Sequence, residues 1–194
     1  MVKARRLDHI ILETDDILTD TDRLTQGNGF QIAWPIGPFW PNALTNGINV
    51  GAFNLELLQP LGRPADLARL VLVFEPESTE HGEWSQKIES NPALLAMRGF
   101  PRSEINQPHI ICRNTAMTEH PIPHFFCDYV PFLKERLHPQ KFRGNPARTL
   151  MKLSLTIPVV PENLIVNEIE WEIGPNGSDP AHSIREFLGL TGLA

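Results

Sequence analysis

Two short apolar runs, each with one titratable residue set inside it, constrain this chain most. Leu7-Asp8-His9-Ile10-Ile11-Leu12-Glu13 is rich in β-branched residues and carries a histidine. Phe53-Asn54-Leu55-Glu56-Leu57-Leu58 has the same shape with a glutamate instead. Runs of this length and composition read as strands buried on at least one face. Side chains alternate across a strand, so His9, Ile11 and Glu13 share one face of the first, and Asn54, Glu56 and Leu58 one face of the second. If the two strands are neighbours with these faces aligned, His9 and Glu56 converge.

The segments around them suggest a repeated order of elements. After the first strand, Thr14 or Asp15 can cap a helix whose first turn is acidic and whose stripe is Ile17, Leu18 and Leu24. Gly27-Asn28-Gly29 stops it. Phe30–Trp34 reads as a strand, and residues 35–41 as a proline-glycine loop carrying Phe39 and Trp40. Ala43–Thr45 and Phe53–Leu58 read as strands flanking a turn region at Asn46-Gly47. Leu67–Phe74 is a further strand, followed by a helix over His81–Ile88 and a helical turn over Ala93–Met97. Pro108–Arg113 and Ile122–Tyr129 follow as strands, and Pro123 makes the latter start late or lie on an edge. Leu150–Ile157 alternates, with Lys152, Ser154 and Thr156 on one face. Val166–Ile173 alternates too, with Glu168, Glu170 and Glu172 opposite Ile169, Trp171 and Ile173. A last helix, capped by Ser178 or Asp179, runs through Ile184, Phe187 and Leu188 to Gly189.

Composition excludes several function classes. The 194 residues suit one compact domain, here residues 1–194, divided into modules 1–62 and 63–194. A net charge of −6 argues against a grip on phosphate backbones, so no nucleic-acid partner is expected. No run is apolar enough to span a bilayer, and no signal-like stretch follows Lys3, Arg5 and Arg6. Cys112 and Cys127 make no disulfide scaffold, which points to a reducing, cytoplasmic location.

The Leu7–Leu12 run, the helix after it, Gly29-Phe30, Asn42-Ala43-Leu44 and Asn54-Leu55-Glu56-Leu57-Leu58-Gln59-Pro60 together resemble the first module of a glyoxalase-like domain of the vicinal oxygen chelate superfamily. The resemblance covers the first third by pattern order. Pro121–Tyr129 and Leu150–Ile157 resemble later strands more loosely. It implies an α+β fold of two βαβββ-type modules whose curved mixed sheets enclose a cleft, here with extra C-terminal strands and a helix. In metal-dependent members, a histidine on a module's first strand and a glutamate on its last point into that cleft. The matching positions are His9 and Glu56, and the ligand set implied is His9, Glu56 and His124, with Glu56 also catalytic. The second module's first strand, Leu67–Phe74, has Arg69 but no histidine, and Trp40-Pro41 stands where the family has Gly-Thr before the asparagine.

The chemistry open to these residues takes two forms. Imidazole nitrogen and carboxylate oxygen suit zinc, manganese, iron or nickel, and such a metal polarises a substrate carbonyl or enediolate in a lyase, isomerase or dioxygenase. Alternatively, His9 and Glu56 bond to one another in a half-buried cleft, no metal is held, and the fold binds or sequesters a small oxygenated metabolite. Trp34, Trp40 and Asn42 are the candidate ligand contacts, as aromatics over a cleft shield and stack on a ligand. They serve equally as plugs of the open side of a curved sheet. His124 reads also as a core histidine beside Phe125 and Phe126, His109 as a hydrogen-bonding residue, and the cysteines as small hydrophobes. The glutamate stripe reads as the solvated face of an edge strand. The expected partners are a small-molecule ligand and, where modules pair between chains, a second copy in a homodimer.

Overall fold

The computed structural model describes residues 2–40, 42–80, 84–89, 110–139, 149–174 and 179–190. The fold is mixed α+β and mostly strand. In chain order it runs β1 (Ala4–Glu13), α1 (Ile17–Asp22, extended by a π-helical turn over Arg23–Gly27), β2 (Gln31–Trp40), β3 (Ala43–Asn49) and β4 (Asn54–Pro60). Then come β5 (Leu70–Pro76), β6 (Trp84–Glu89), β7 (Ile110–Thr115), β8 (His124–Tyr129), α2 (Pro131–Leu137), β9 (Leu153–Ile157), β10 (Ile169–Ile173) and α3 (Pro180–Leu188).

Eight strands form one sheet in the order β2-β3-β4-β1-β5-β8-β7-β6. The order is symmetric about the centre, where β1 and β5 run antiparallel. Each is flanked by a parallel partner, β4 or β8, and then by two antiparallel strands. The two halves of this curled half-barrel thus repeat one strand plan and pair within one chain. The halves differ between their first two strands, where α1 stands in the first and only residues 77–83 in the second.

Alternation divides the sheet's side chains into two cores. Ile10, Leu12, Leu55, Leu57, Leu72 and Phe74 face outward. They pack under Ile17 and Leu24 of the first helical segment, Leu153 and Leu155 of β9, and Ile184 and Leu188 of α3. On the inner face Ile11, Trp34, Val71, Val73, Phe125 and Cys127 pack with Leu133 and Leu137 of α2. Asn54 fixes that helix by donating from Nδ2 to the Leu137 carbonyl at 2.9 Å. β9 and β10 form a separate parallel pair. Asp179 caps α3 by accepting from the His182 backbone N–H at 3.0 Å, and Gly189 ends it at φ +70°. Among the described residues no helix is long and apolar enough to cross a membrane.

Several expectations are corrected. The proline-glycine loop expected from residue 35 is strand as far as Trp40, where β2 ends after several register shifts. It lies at the sheet edge, where Pro35 and Pro38 need no donor. Asn46-Gly47 is no turn but the middle of β3. Asn46 is fully buried, donating to the Trp34 carbonyl at 2.8 Å and accepting from Thr21 Oγ1 at 3.0 Å. Gly47 is required because a Cβ there would collide with the Trp34 indole. The turn falls later, at Gly51, whose φ of +141° and close approach to the Leu150 backbone suit glycine alone. The expected helix at 81–88 is strand β6 from Trp84, because pairing with β7 outweighs local helical preference. The helix cap is Asp16 rather than Thr14 or Asp15. Ile173, expected on the buried face of β10, is 80% exposed. The helical turn at 93–97 and His109 lie outside the described residues.

Candidate functional site

The first strand pairing brings His9 and Glu56 together. β1 and β4 run parallel with Ile11 opposite Glu56 and His9 opposite Asn54. His9 Nε2 lies 3.1 Å from Glu56 Oε2. A third group joins through an irregularity of the backbone. Leu7 pairs with Phe74 and His9 with Val73, so Asp8 is the extra residue of a β-bulge in β1. Its Oδ2 lies 2.7 Å from His9 Nδ1, and Arg6 Nη2 donates to its Oδ1 at 3.0 Å. The Trp34 indole meets the imidazole edge to face, ring centres 5.9 Å apart. Asp8, His9 and Glu56 are all buried.

This geometry sets the protonation of His9. Burial alone would push the imidazole down. Hydrogen bonds to the Asp8 and Glu56 carboxylates, and their charges, overcome it and hold His9 up to about 10. Burial would likewise raise the Asp8 carboxyl, but the bond to His9 and the charges of His9 and Arg6 keep it below its ordinary value. His9 is therefore an imidazolium clamped between two carboxylates at neutral pH.

Those residues do not fit a divalent metal. His9 Nδ1 is taken by Asp8, so the pair brings at most one imidazole nitrogen, Nε2, and one carboxylate, Glu56, to a common point. Glu56 Oε1 is buried and takes no hydrogen bond among the described residues. One open oxygen falls short of the three protein ligands a catalytic ion needs. Across the sheet's centre the inner face offers Val71, Val73 and Phe125. Among the described residues no three His, Cys, Asp or Glu side chains form a group that could hold a metal. His124, the third ligand expected, lies in register with Leu72 on the opposite, outer face. There it packs edge-on to Phe74 at 6.2 Å, and its Nδ1 lies 3.2 Å from the Ile122 carbonyl. Burial first, and then the charge of His120, pulls its pKa down. The core-histidine reading describes its surroundings.

A cavity of about 390 Å³ occupies the other end of the same inner face. Side chains from β1, β4, β5, β6, β7 and β8 line it, which only the concave side of a curled sheet allows. Ile11, Leu58, Val71 and Phe125 give it an apolar floor, and Glu13, Arg63, Arg69, Ser85, Gln86 and Asn114 a polar wall. Glu13 shares the inner face of β1 with His9 and Ile11. Arg63 grips it with two hydrogen bonds, Nη1 at 2.7 Å and Nη2 at 2.6 Å, and the Asp66 backbone N–H adds a third at 2.9 Å. Burial would raise this carboxyl, but Arg63, Asp66 and the Arg69 charge hold it below its ordinary value. Buried Arg185 of α3 ties the region down, donating to the carbonyls of Leu67 and Glu13.

Of the expected ligand contacts, Trp34 and Asn42 do not line this cavity. Trp34 is buried at 3% exposure against Gly47 and His9, which is the plug reading. Asn42 is exposed, and its carbonyl accepts from the Leu61 N–H at 2.7 Å. The Trp40 and Phe39 side chains are outside the described residues. Cys112 and Cys127 are buried with their sulfurs 3.0 Å apart on neighbouring strands. Glu170 and Glu172 are solvated as expected, whereas Glu168 accepts from the Leu7 N–H at 3.3 Å. Sequence reasoning missed Arg63, which meets Glu13 from fifty positions away and outside any strand. It placed Arg69 on a strand, where the structure puts it just before β5.

No family model and no curated protein matches this chain. Among solved structures it is similar to the hypothetical protein BH1468 from Bacillus halodurans C-125, at 14% identity and a TM-score of 0.40. That alignment covers 64% of this chain and 94% of the other.

Proposed function

We propose that this chain is a glyoxalase-like protein of the vicinal oxygen chelate superfamily that binds a small oxygenated metabolite in its cleft without a metal. The observation that carries the reading is the division of the inner face. The His9–Glu56 pair, which would be the metal half-site, is sealed and charge-compensated by Asp8. The cavity beside it has an apolar floor and a few convergent polar groups, as small-molecule sites do. The paired strand plan of the sheet supports the superfamily reading. Glu56 then acts through its bond to His9, holding β4 against β1, and touches no ligand.

A screen of small oxygenated compounds by ligand-observed NMR, with and without EDTA, tests this. Ala116 is an exposed residue at the cavity wall, so Ala116→Trp blocks the space without entering the core. The reading expects hits that persist in EDTA and vanish in Ala116→Trp. Hits that require added zinc, manganese or ferrous iron would sink it.

A further inference from the structure

The cavity wall carries more positive than negative charge, although the chain as a whole has a net charge of −6. Among the described residues Glu13 is the one carboxylate lining the cavity, and it faces two guanidinium groups. Arg63 spends two donors on it and one more on the Pro64 carbonyl at 2.9 Å. Arg69 is different. Its Nη1 lies 3.8 Å from Glu13 Oε1, and its Nη2 meets the Met117 thioether at 3.6 Å. The first distance is too long for a hydrogen bond, and a thioether is a weak acceptor. Among the described residues Arg69 therefore meets no oxygen acceptor at hydrogen-bond distance. It stands at the edge of an apolar floor made by Ile11, Leu58, Val71 and Phe125.

A planar guanidinium with open donors beside an apolar cavity matches one ligand chemistry best. Two parallel N–H groups receive a carboxylate in bidentate fashion, while the floor takes a hydrocarbon or aromatic body. A cation would meet the surplus arginine charge, and a neutral molecule can accept from the donors but leaves that charge unmatched. We infer that the ligand of this cleft is a small carboxylic acid with an apolar body, its carboxylate held by Arg69 and its body lying on Ile11, Leu58, Val71 and Phe125. The inference rests on the cleft-binding reading above and names the class of ligand for it. Arg185 ties the backbone of Leu67, which lies between the two arginines in the chain, to that of Glu13.

Three probes of one shape separate the head groups: 3-phenylpropionate, 3-phenylpropanol and 3-phenylpropylamine, titrated at millimolar concentration and followed by backbone NMR shifts of Val71 and Phe125. The acid is expected to bind about tenfold more tightly than the alcohol or the amine, the scale of one charge-assisted contact. Arg69→Gln should bring the acid down to the level of the alcohol, and Arg69→Lys should recover part of the difference. The Arg69 side chain is 38% exposed, so the variants should keep the fold, and unchanged NMR shifts in β9 and β10 are the check. Equal or tighter binding of the alcohol or the amine overturns the inference while leaving a small-molecule cleft intact. An acid that binds equally well to Arg69→Gln overturns it too. If none of the three moves the cleft resonances, the inference falls, and a parallel lack of hits in the EDTA screen shows that the cleft reading has fallen with it.

Discussion

The two halves of the sheet share a strand plan and differ in what they turn inward. The β1–β4 half turns in Asp8, His9, Glu13, Asn54 and Glu56, a run of buried charges and amides each paired to a specific partner. The β5–β8 half turns in Val71, Val73, Phe125 and Cys127, held by packing. One topology thus carries two kinds of interior. In the first half, stability depends on charge balance, since an unmatched buried charge is costly. In the second it depends on filled volume. The asymmetry also bears on chemistry, because among the described residues the two halves bring no three metal-donor side chains together.

The sharpest way to break the comparison is to cut one residue from each side of the central strand pair. His9 and Val73 are cross-strand partners. His9→Ala leaves Asp8 and Glu56 buried without their shared cation and should cost about 3–5 kcal/mol in urea unfolding. Val73→Ala removes only packing and should cost about 2 kcal/mol. Equal losses would mean that the polar half is no more dependent on pairing than the apolar one.

The pH dependence follows from the same clamp. His9 is held up to about 10, above its ordinary 6.5, so its contribution to stability is complete below 6.5. Above that the unfolded chain gives up the proton that the folded chain keeps, and stability falls as pH rises toward 10. Asp8 has the opposite sign: its contribution is present above its ordinary 3.8 and is lost as pH falls below that value. Thermal unfolding across pH should show both arms, and His9→Gln should remove the alkaline one. An alkaline arm that survives in His9→Gln would assign it to another group.

Much of this was legible in the sequence, for particular reasons. Alternation alone aligned His9, Ile11 and Glu13, and the glutamate of the second run gave His9 its partner. The β-bulge was invisible, because nothing local marks Asp8 as the extra residue; it appears only in the pairing of β1 with β5. His124 read both as a ligand and as a core residue, because the face it takes depends on the parity of β8, which only the pairing with β5 reveals. The short helix α2 was overlooked, although Pro131 at its first turn and the helix formers Leu133, Lys134, Glu135 and Arg136 were available as signals. Arg63 was beyond reach, since it follows β4 and meets Glu13 only because β4 pairs alongside β1.

Smaller effects sharpen the comparison further. Burial first, and then the neighbouring Cys112, pushes the Cys127 thiol well up. Both thiols should resist Ellman's reagent in the native protein and react on unfolding; rapid reaction would show that the second half is open to water. On the periphery, Glu172 is exposed and among the described residues bonds only to Thr156 Oγ1 at 3.2 Å, so Glu172→Gln should change stability by less than about 0.5 kcal/mol. A larger change would give the solvated stripe a structural role.

The central claim is that the polar half is a charge clamp and not half of a metal centre. Calorimetric titration of EDTA-stripped protein with zinc at neutral pH, followed by metal analysis after desalting, tests it directly. The account expects no stoichiometric retention in the wild-type chain, Glu56→Gln or His9→Gln. One equivalent retained by the wild type and lost in both variants would contradict it.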